Sequence, residues 1–93
     1  MPLPITQLEQ LPKISGLYKI TNADGQVIYV GQAQNIHARW NKGHHKLSVI
    51  LSECGAAAYI DWVEIPKWLL NRAEHAAIRF YQPKLNLKMP PVV

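Results

Sequence analysis

The sequence predicts an α+β fold (mixed α/β), in which helices flank a small three-stranded sheet in the order β-β-α-α-β-α. Two sequence patterns predict this fold. Segments in which apolar and polar residues alternate predict strands, and segments in which apolar residues recur at helical spacing predict helices. The chain has 93 residues, of which 48% are hydrophobic and 17% charged, so its composition is globular and its length suits one domain. We expect a single domain over residues 1–93, with a core at about 15–86 and peripheral ends at 1–12 and 89–93.

The first two strands are predicted to form a hairpin over residues 15–22 and 27–32. Between them lies the dipeptide Asp24 and Gly25, which is a strong short-range hairpin signal. A loop with an even number of residues then fixes which residues of the two strands face each other.

This register sets Tyr18 opposite Gly31 and Ile20 opposite Tyr29, so both tyrosines lie on one face of the hairpin. The structural interpretation is a pair of buried rings with hydroxyl groups at the rim. The functional interpretation is a pair of phenolic hydroxyls presented at a site. Gly16 and Gly31 leave the strands without side chains beside the tyrosines, which often marks close approach by another backbone or a ligand.

Helices and a third strand follow the hairpin. Asn35 is a good N-cap for a helix that runs to about residue 42, and a second short helix is predicted over 46–53. Residues 59–65 alternate and are rich in β-branched and aromatic types, which predicts a strand. A longer helix is predicted over 67–81, and one helical turn over 6–11. The apolar residues of the long helix recur at helical spacing: Leu69, Leu70, Ala73, Ala77, Phe80 and Tyr81.

The chain carries no sign of secretion or membrane insertion. Its one cysteine, Cys54, excludes an internal disulfide bond. The N-terminus lacks the charged and apolar regions of a signal peptide, and no stretch approaches the roughly 18–20 apolar residues of a membrane span. We expect a soluble cytoplasmic protein that does not contact a membrane.

Positive charge is concentrated in one part of the sequence. The formal net charge is +4, but residues 25–52 contain no Asp or Glu. The cations and histidines of this stretch are Arg39, Lys42, Lys46, His37, His44 and His45. Such a run is either a surface that faces phosphate groups or a solvated basic face, and charge alone favours neither.

Arg39 and Glu74 break the structural pattern. Arg39 lies three residues after Ile36 and so shares the inward-leaning side of its short helix, where a guanidinium needs a partner. Glu74 lies beside the apolar stripe of the last helix with no basic residue at helical spacing. It is therefore either the ion-pair partner of a cation elsewhere in the fold, such as Arg39, or a ligand of a metal ion.

Other chemistries find little support. His44, His45 and Cys54 do not complete the four ligands of a zinc site. The glycines form no phosphate-binding loop, and no acyl-transfer motif is present.

Several sequence pieces together resemble the GIY-YIG nuclease superfamily, which includes an incision domain of bacterial excision repair, homing endonucleases and restriction enzymes. The likeness covers residues 15–86, nearly the whole chain. Its pieces, in order, are Gly16-Leu17-Tyr18, Tyr29-Val30-Gly31, the run Gln34-Asn35-Ile36-His37-Ala38-Arg39, Glu74, and Pro83-Lys84-Leu85-Asn86. Each piece alone is weak, but all of them in order at family-like spacing are a strong signal.

The resemblance implies a metal-dependent endonuclease that hydrolyses phosphodiester bonds of nucleic acid. In that case Tyr18 is the general base or water activator, and Tyr29 positions the scissile phosphate or assists proton transfer. Arg39 stabilises charge on the phosphoryl oxygens. Glu74 is the sole protein ligand of one Mg²⁺ or Mn²⁺ ion, and Asn86 closes the site. Because only one carboxylate is available, we expect in-line attack with one metal ion.

The sequence departs from the family where a histidine or tyrosine commonly follows the arginine by four residues. That position is Gly43, with His44 and His45 just beyond, and a break in the helix would return one of them to the site. We assign His44 to the catalytic set. The predicted nucleic-acid contacts are Lys42, His45, Lys46 and Asn86.

DNA is the expected partner in preference to RNA, in repair or recombination. A lone catalytic domain would bind weakly unless it forms a homodimer or rides on a targeting protein. The alternative function is a non-catalytic nucleic-acid-binding module on the same fold. A protein-interaction domain, in which Arg39 and Glu74 simply pair, is a third.

Overall fold

The computed structural model describes residues 2–44, 46–55 and 57–87 and contains one antiparallel sheet. Its strands are β1 (Leu3–Pro4), β2 (Gly16–Thr21), β3 (Val27–Ala33) and β4 (Tyr59–Glu64). Their order across the sheet is β1-β4-β2-β3. The predicted fold class is confirmed, but the sheet has four strands instead of three. The additional strand β1 has two residues, too few to show alternation, and pairs with β4.

The hairpin of β2 and β3 has the predicted register. Tyr18 lies opposite Gly31 and Ile20 opposite Tyr29. Because side chains alternate along a strand, the two tyrosines lie on the same face, as predicted.

The helices also follow the prediction closely. They are a 3-10 helix (Ile5–Gln10), α1 (Ile36–Asn41), α2 (Leu47–Cys54), a second 3-10 helix (Lys67–Leu69), α3 (Leu70–Tyr81) and α4 (Lys84–Leu87). Asn35 caps α1 as predicted, since its side-chain oxygen accepts a hydrogen bond from the Ala38 N–H at 3.0 Å. The short helix α4 was not predicted, because Pro83 marks an end to a helical pattern. In the described part of the chain, no helix has the length and apolar character to cross a membrane.

The two faces of the sheet are covered by different helices. The face of Tyr18 and Ile20 is buried against α1 and α2, where Trp40 is 1% exposed. On the opposite face, the Lys19 ammonium group lies 5.3 Å from the centre of the Tyr81 ring of α3. The hairpin is therefore held between α1 and α2 on one face and α3 on the other.

The apolar face predicted for α3 is wrong at Phe80. Leu70 is 4% exposed, whereas Phe80 is 79% exposed. Helical geometry explains the difference, because Phe80 lies roughly 80° around the axis of α3 from the middle of the apolar face that packs on the sheet. It therefore belongs to the solvent-exposed side of α3.

Candidate active site

A buried tyrosine and a buried histidine form the centre of the candidate site. The hydroxyl of Tyr18 lies 2.9 Å from Nε2 of His44, and these side chains are 2% and 4% exposed. The His44 ring stacks on the indole of Trp40 with centroids 4.0 Å apart and planes 9° apart. Tyr18 meets the same indole edge-on at 5.2 Å. The three packed rings fix the position of the hydroxyl group.

Gly43 explains how His44 reaches the sheet. α1 ends at Asn41, and Gly43 follows with a φ of +89°, a left-handed conformation that other residues rarely adopt. The chain turns back there and carries His44 into the core. This is the helix break that was expected to return a histidine to the site. His45 lies outside the described residues.

The hydrogen bonds of His44 define its tautomer. The backbone N–H of Lys46 donates to Nδ1 at 3.0 Å, so Nδ1 carries no proton. A neutral imidazole with this acceptor has its proton on Nε2. Nε2–H therefore donates to the Tyr18 oxygen, and the hydroxyl proton of Tyr18 can be donated to a further group.

Both site tyrosines are held in the protonated form. Burial raises the pKa of Tyr18 far above its usual range, and the neighbouring Tyr29 raises it further. Burial also raises the pKa of Tyr29, with the Glu74 charge as the second cause. Because Glu74 and Arg39 act on both phenols, these four side chains lie within electrostatic reach of one another. The rings of Tyr18 and Tyr29 are 6.3 Å apart.

Gly31 is a glycine because the Tyr18 ring lies against its backbone. A Cβ atom at Gly31 would lie 2.5 Å from the Tyr18 hydroxyl oxygen and 2.6 Å from its Cε1 and Cζ atoms. Gly16 shows the other expected kind of close approach, since a Cβ there would meet the backbone carbonyl of Val63. The close approach predicted at Gly16 and Gly31 is therefore made by other parts of the chain, the Val63 backbone and the Tyr18 ring.

Arg39 acts on the Tyr18 hydroxyl from an exposed position. The nearby guanidinium lowers the pKa of Tyr18 and so opposes the effect of burial. The inward-leaning position expected for this residue is wrong, because Arg39 is exposed. Together with Lys42 it lines a shallow depression of about 340 Å³ beside α1. The guanidinium is thus accessible to an anion from solvent.

Glu74 contributes a half-buried carboxylate from α3. Its Oε1 accepts a hydrogen bond from Nε2–H of Gln32 at 2.9 Å, and the same nitrogen donates to Oδ1 of Asn71 at 2.7 Å. Among the residues that the structure describes, Glu74 forms no ion pair with Arg39. The ion-pair alternative for these two residues is therefore wrong.

The surroundings of Glu74 fit a divalent cation that keeps most of its water. Mg²⁺ in proteins often takes one or two carboxylates and retains several waters. Within residues 2–44, 46–55 and 57–87, no three His, Cys, Asp or Glu side chains cluster into a site made of protein ligands alone. In the same ranges no hydrogen bond reaches the second carboxylate oxygen of Glu74, which leaves that oxygen for a cation.

Asn86 clamps the strand that carries Tyr29. Its Oδ1 accepts from the Val30 N–H at 2.8 Å, and its Nδ2–H donates to the Val30 carbonyl at 2.9 Å. β3 is an edge strand, so the amide satisfies backbone groups that a neighbouring strand would otherwise bind. Asn86 thereby positions β3 beneath the site.

Two of the other predicted nucleic-acid contacts, Lys42 and Lys46, lie near Arg39 and His44, and His45 lies outside the described residues. Lys42 is exposed beside Arg39, and Lys46 is half-buried, with its backbone N–H on His44. Binding of nucleic acid by Lys42, His45, Lys46 and Asn86 stays a prediction.

Two residues of the site were missed by the sequence reasoning. Trp40 lies four residues after Ile36, so helical spacing already pointed it at the core. Gln32 had no such signal, because its contact with Glu74 joins residues 42 positions apart.

A family comparison identifies a small nuclease domain. Residues 14–68 match the GIY-YIG catalytic domain family, so the chain belongs to the GIY-YIG family, and the predicted family and enzyme class are confirmed.

Curated relatives of the chain are longer proteins. The chain is 33% identical over 86 residues to UvrABC system protein C of Bacteroides fragilis, which covers 86% of the chain and 14% of that protein. It is 28% identical over 88 residues to UvrABC system protein C of Borrelia duttonii, with 89% and 14% covered. The chain therefore spans about a seventh of the length of these relatives.

Solved structures share the fold. The GIY-YIG N-terminal endonuclease domain of UvrC from Thermotoga maritima, bound to its catalytic divalent cation magnesium, superposes with a TM-score of 0.65. The identity is 21%, and the match covers 85% of this chain and 90% of that chain. The cation bound there is of the class predicted from the family resemblance.

Proposed function

We propose that the chain is an endonuclease that hydrolyses phosphodiester bonds of DNA with a divalent metal ion. The observation that supports it most is the buried contact between the Tyr18 hydroxyl and Nε2 of His44, 2.9 Å apart, beside Arg39 and Glu74. A phenol, a cation and a carboxylate therefore lie within electrostatic reach of one another. Family membership adds support, and the resemblance to repair nucleases favours DNA over RNA.

Glu74 is the residue that would hold the metal ion, through the carboxylate oxygen that accepts no hydrogen bond from the described residues. When bound, Mg²⁺ or Mn²⁺ polarises the phosphate and stabilises the leaving oxygen. Gln32 orients the carboxylate for this role. A single carboxylate suits in-line attack with one metal ion.

Tyr18 is proposed as the general base for the attacking water. Its raised pKa means that the phenol is protonated at neutral pH, so its proton must pass to solvent water before the oxygen can accept a proton from the attacking water. Nε2–H of His44 donates to the Tyr18 oxygen and the Arg39 guanidinium lies nearby, so both stabilise the phenolate once it forms. His44 is thus a positioning residue that acts through Tyr18.

Tyr29 and Arg39 are proposed to bind the reacting phosphate. The Tyr29 hydroxyl lies on the same sheet face as Tyr18 and would donate a hydrogen bond to a phosphate oxygen. Arg39 is exposed beside Lys42, and its guanidinium would stabilise the negative charge that develops in the transition state.

The same proposal assigns the chain to DNA repair or recombination in the cytoplasm. The relatives support this setting by their assignment to the UvrABC system. A second copy or a targeting protein would supply the affinity that one small domain lacks.

The test is cleavage of supercoiled, linear and branched DNA in Mg²⁺ or Mn²⁺, with an RNA of matched sequence in parallel. We expect DNA cleavage by the wild type, no cleavage by Glu74→Gln, and full cleavage by Glu64→Gln. The last variant makes the same charge change at an exposed carboxylate on β4. Binding is measured for all three proteins by fluorescence anisotropy in EDTA.

Two results would contradict the proposal. A wild type that binds DNA but is as inert as Glu74→Gln would establish the non-catalytic binding module instead. Cleavage of RNA alone would refute DNA as the substrate.

A further inference from the structure

The outer side of α3 carries an exposed stripe of basic side chains preceded by a tryptophan. We call Trp68, Arg72, His75 and Arg79 the α3 stripe. Arg72, His75 and Arg79 are spaced by three and four residues and so lie on one side of α3, and Trp68 lies in the 3-10 helix that leads into it. All four are exposed, and Trp68 is 82% exposed. Apolar packing therefore does not explain the tryptophan.

The α3 stripe has no acidic partner. Residues 65–87 contain a single acid, Glu74, and its carboxylate faces Gln32. Within the described ranges, Arg72 and Arg79 form no ion pair. Their charges are thus left for a partner of opposite sign from solvent.

Helical geometry connects the stripe to the catalytic carboxylate. A turn of 3.6 residues places Asn71 about 60° around the axis from Glu74. It places the three basic residues of the stripe at about 100–160°. Asn71 and Glu74 both accept hydrogen bonds from Gln32, which fixes that side of α3 beside the site. Phe80 lies on the other flank, about 240° from Glu74. The stripe therefore begins where the candidate active site ends.

We propose that the α3 stripe binds the DNA backbone next to the cleaved phosphate, and that Trp68 stacks on an unpaired base there. This inference rests on the proposed function and deepens it by naming the substrate class. Arg72 and Arg79 are seven residues apart, about 10 Å along the axis, which spans roughly three phosphates at 3.4 Å each. An exposed indole suits base stacking, and an unpaired base offers its ring for it. The preferred substrate is therefore DNA with a single-stranded segment beside the cut.

The test measures binding of two fluorescein-labelled DNAs in EDTA, a blunt duplex and the same duplex with a single-stranded flap. The charge variant is Arg72→Gln/Arg79→Gln. Its control, Lys13→Gln/Lys84→Gln, removes the same net charge from other exposed positions and, at Lys84, also removes an ion pair with Glu53. The aromatic variant is Trp68→Ala, with Phe80→Ala as the matched control on the other flank of α3. Thermal denaturation by circular dichroism checks that each variant is folded.

We expect the charge variant to bind both DNAs about tenfold more weakly or worse, with the salt dependence of log K reduced by about 1.4–1.8. The control Lys13→Gln/Lys84→Gln should weaken DNA binding much less than the charge variant does. Trp68→Ala should weaken binding of the flap DNA about tenfold and leave the blunt duplex unchanged, whereas Phe80→Ala should affect neither.

Equal losses in the charge variant and its control would refute the stripe, because net charge alone would then explain them. Unchanged DNA affinity in the charge variant would refute the inference as well, and an acidic protein would then be the partner to test for the α3 stripe. The two proposals fail separately. Normal cleavage by the stripe variants overturns only this inference, and stripe-dependent binding without any cleavage overturns only the proposed function.

Discussion

Replacing Gly31 by alanine tests whether the fixed position of the Tyr18 hydroxyl matters for activity. The added Cβ would lie 2.5–2.6 Å from three atoms of the Tyr18 side chain, whereas ordinary contacts are about 3.5–4.0 Å. The ring must therefore move by roughly 1 Å. It is 2% exposed and packed against Trp40 and His44, so it cannot move without disturbing them.

The expected losses of stability and of activity follow from overpacking of the core and from displacement of the Tyr18 hydroxyl. Overpacking of a dense core costs about 1–3 kcal/mol, which for a domain of this size lowers Tm by roughly 4–20 °C. A shift of about 1 Å in a reacting group lowers the rate by about a hundredfold. We therefore expect Gly31→Ala to lose stability and about two orders of magnitude in kcat.

The assay combines DNA cleavage in Mg²⁺ below Tm with thermal denaturation. Gly25→Ala is the control, because Gly25 has a φ of +80° and a Cβ there would meet no atom within 4 Å. It should lose about 1–2 kcal/mol from backbone strain and keep its kcat. If Gly31→Ala also kept its kcat, the position of the Tyr18 hydroxyl would not control the reaction, and the reasoning would be refuted.

Three further predictions concern single side chains. Tyr18→Phe keeps the ring but removes the hydroxyl that accepts from His44. We expect kcat, measured by DNA cleavage, to fall at least a hundredfold. The free energy of unfolding, measured in urea, should fall by about 1–3 kcal/mol. Asn86→Ala should cost about 1–3 kcal/mol, because the Val30 N–H and carbonyl lose their partners, and Asn86→Asp should recover only the bond to the N–H. Burial raises the pKa of Tyr18 and of Tyr29, so the stability they contribute is full below about pH 10 and is lost as the pH rises further. Unfolding free energies between neutral and strongly alkaline pH should therefore fall less steeply for Tyr18→Phe, and an unchanged slope would contradict the assigned burial effect.

Local signals predicted most of the fold and part of the site. The dipeptide at the hairpin loop set the register that places Tyr18 and Tyr29 on one face, and Asn35 marked the start of α1. What sequence could not reveal depends on contacts between distant segments. β1 is defined only by its pairing with β4, and the Gln32 contact with Glu74 has no local pattern.

The prediction for Arg39 failed for a related reason. Periodicity alone placed it inward, but the space beneath α1 is filled by the stacked rings of Trp40 and His44. A long guanidinium side chain can reach the Tyr18 hydroxyl from the rim while its backbone stays at the surface. Periodicity describes the direction of a backbone position and does not describe the reach of a long side chain.

The Asn86 clamp has a consequence for the order in which the protein matures. It joins Val30 to a residue 56 positions later, and Tyr29 precedes Val30 directly. While the chain is being synthesised, the tyrosines emerge early, but the edge of their strand stays open until residue 86 has left the ribosome. The strand that carries Tyr29 therefore gains its side-chain edge partner only after residue 86 has been synthesised, 56 positions after Val30.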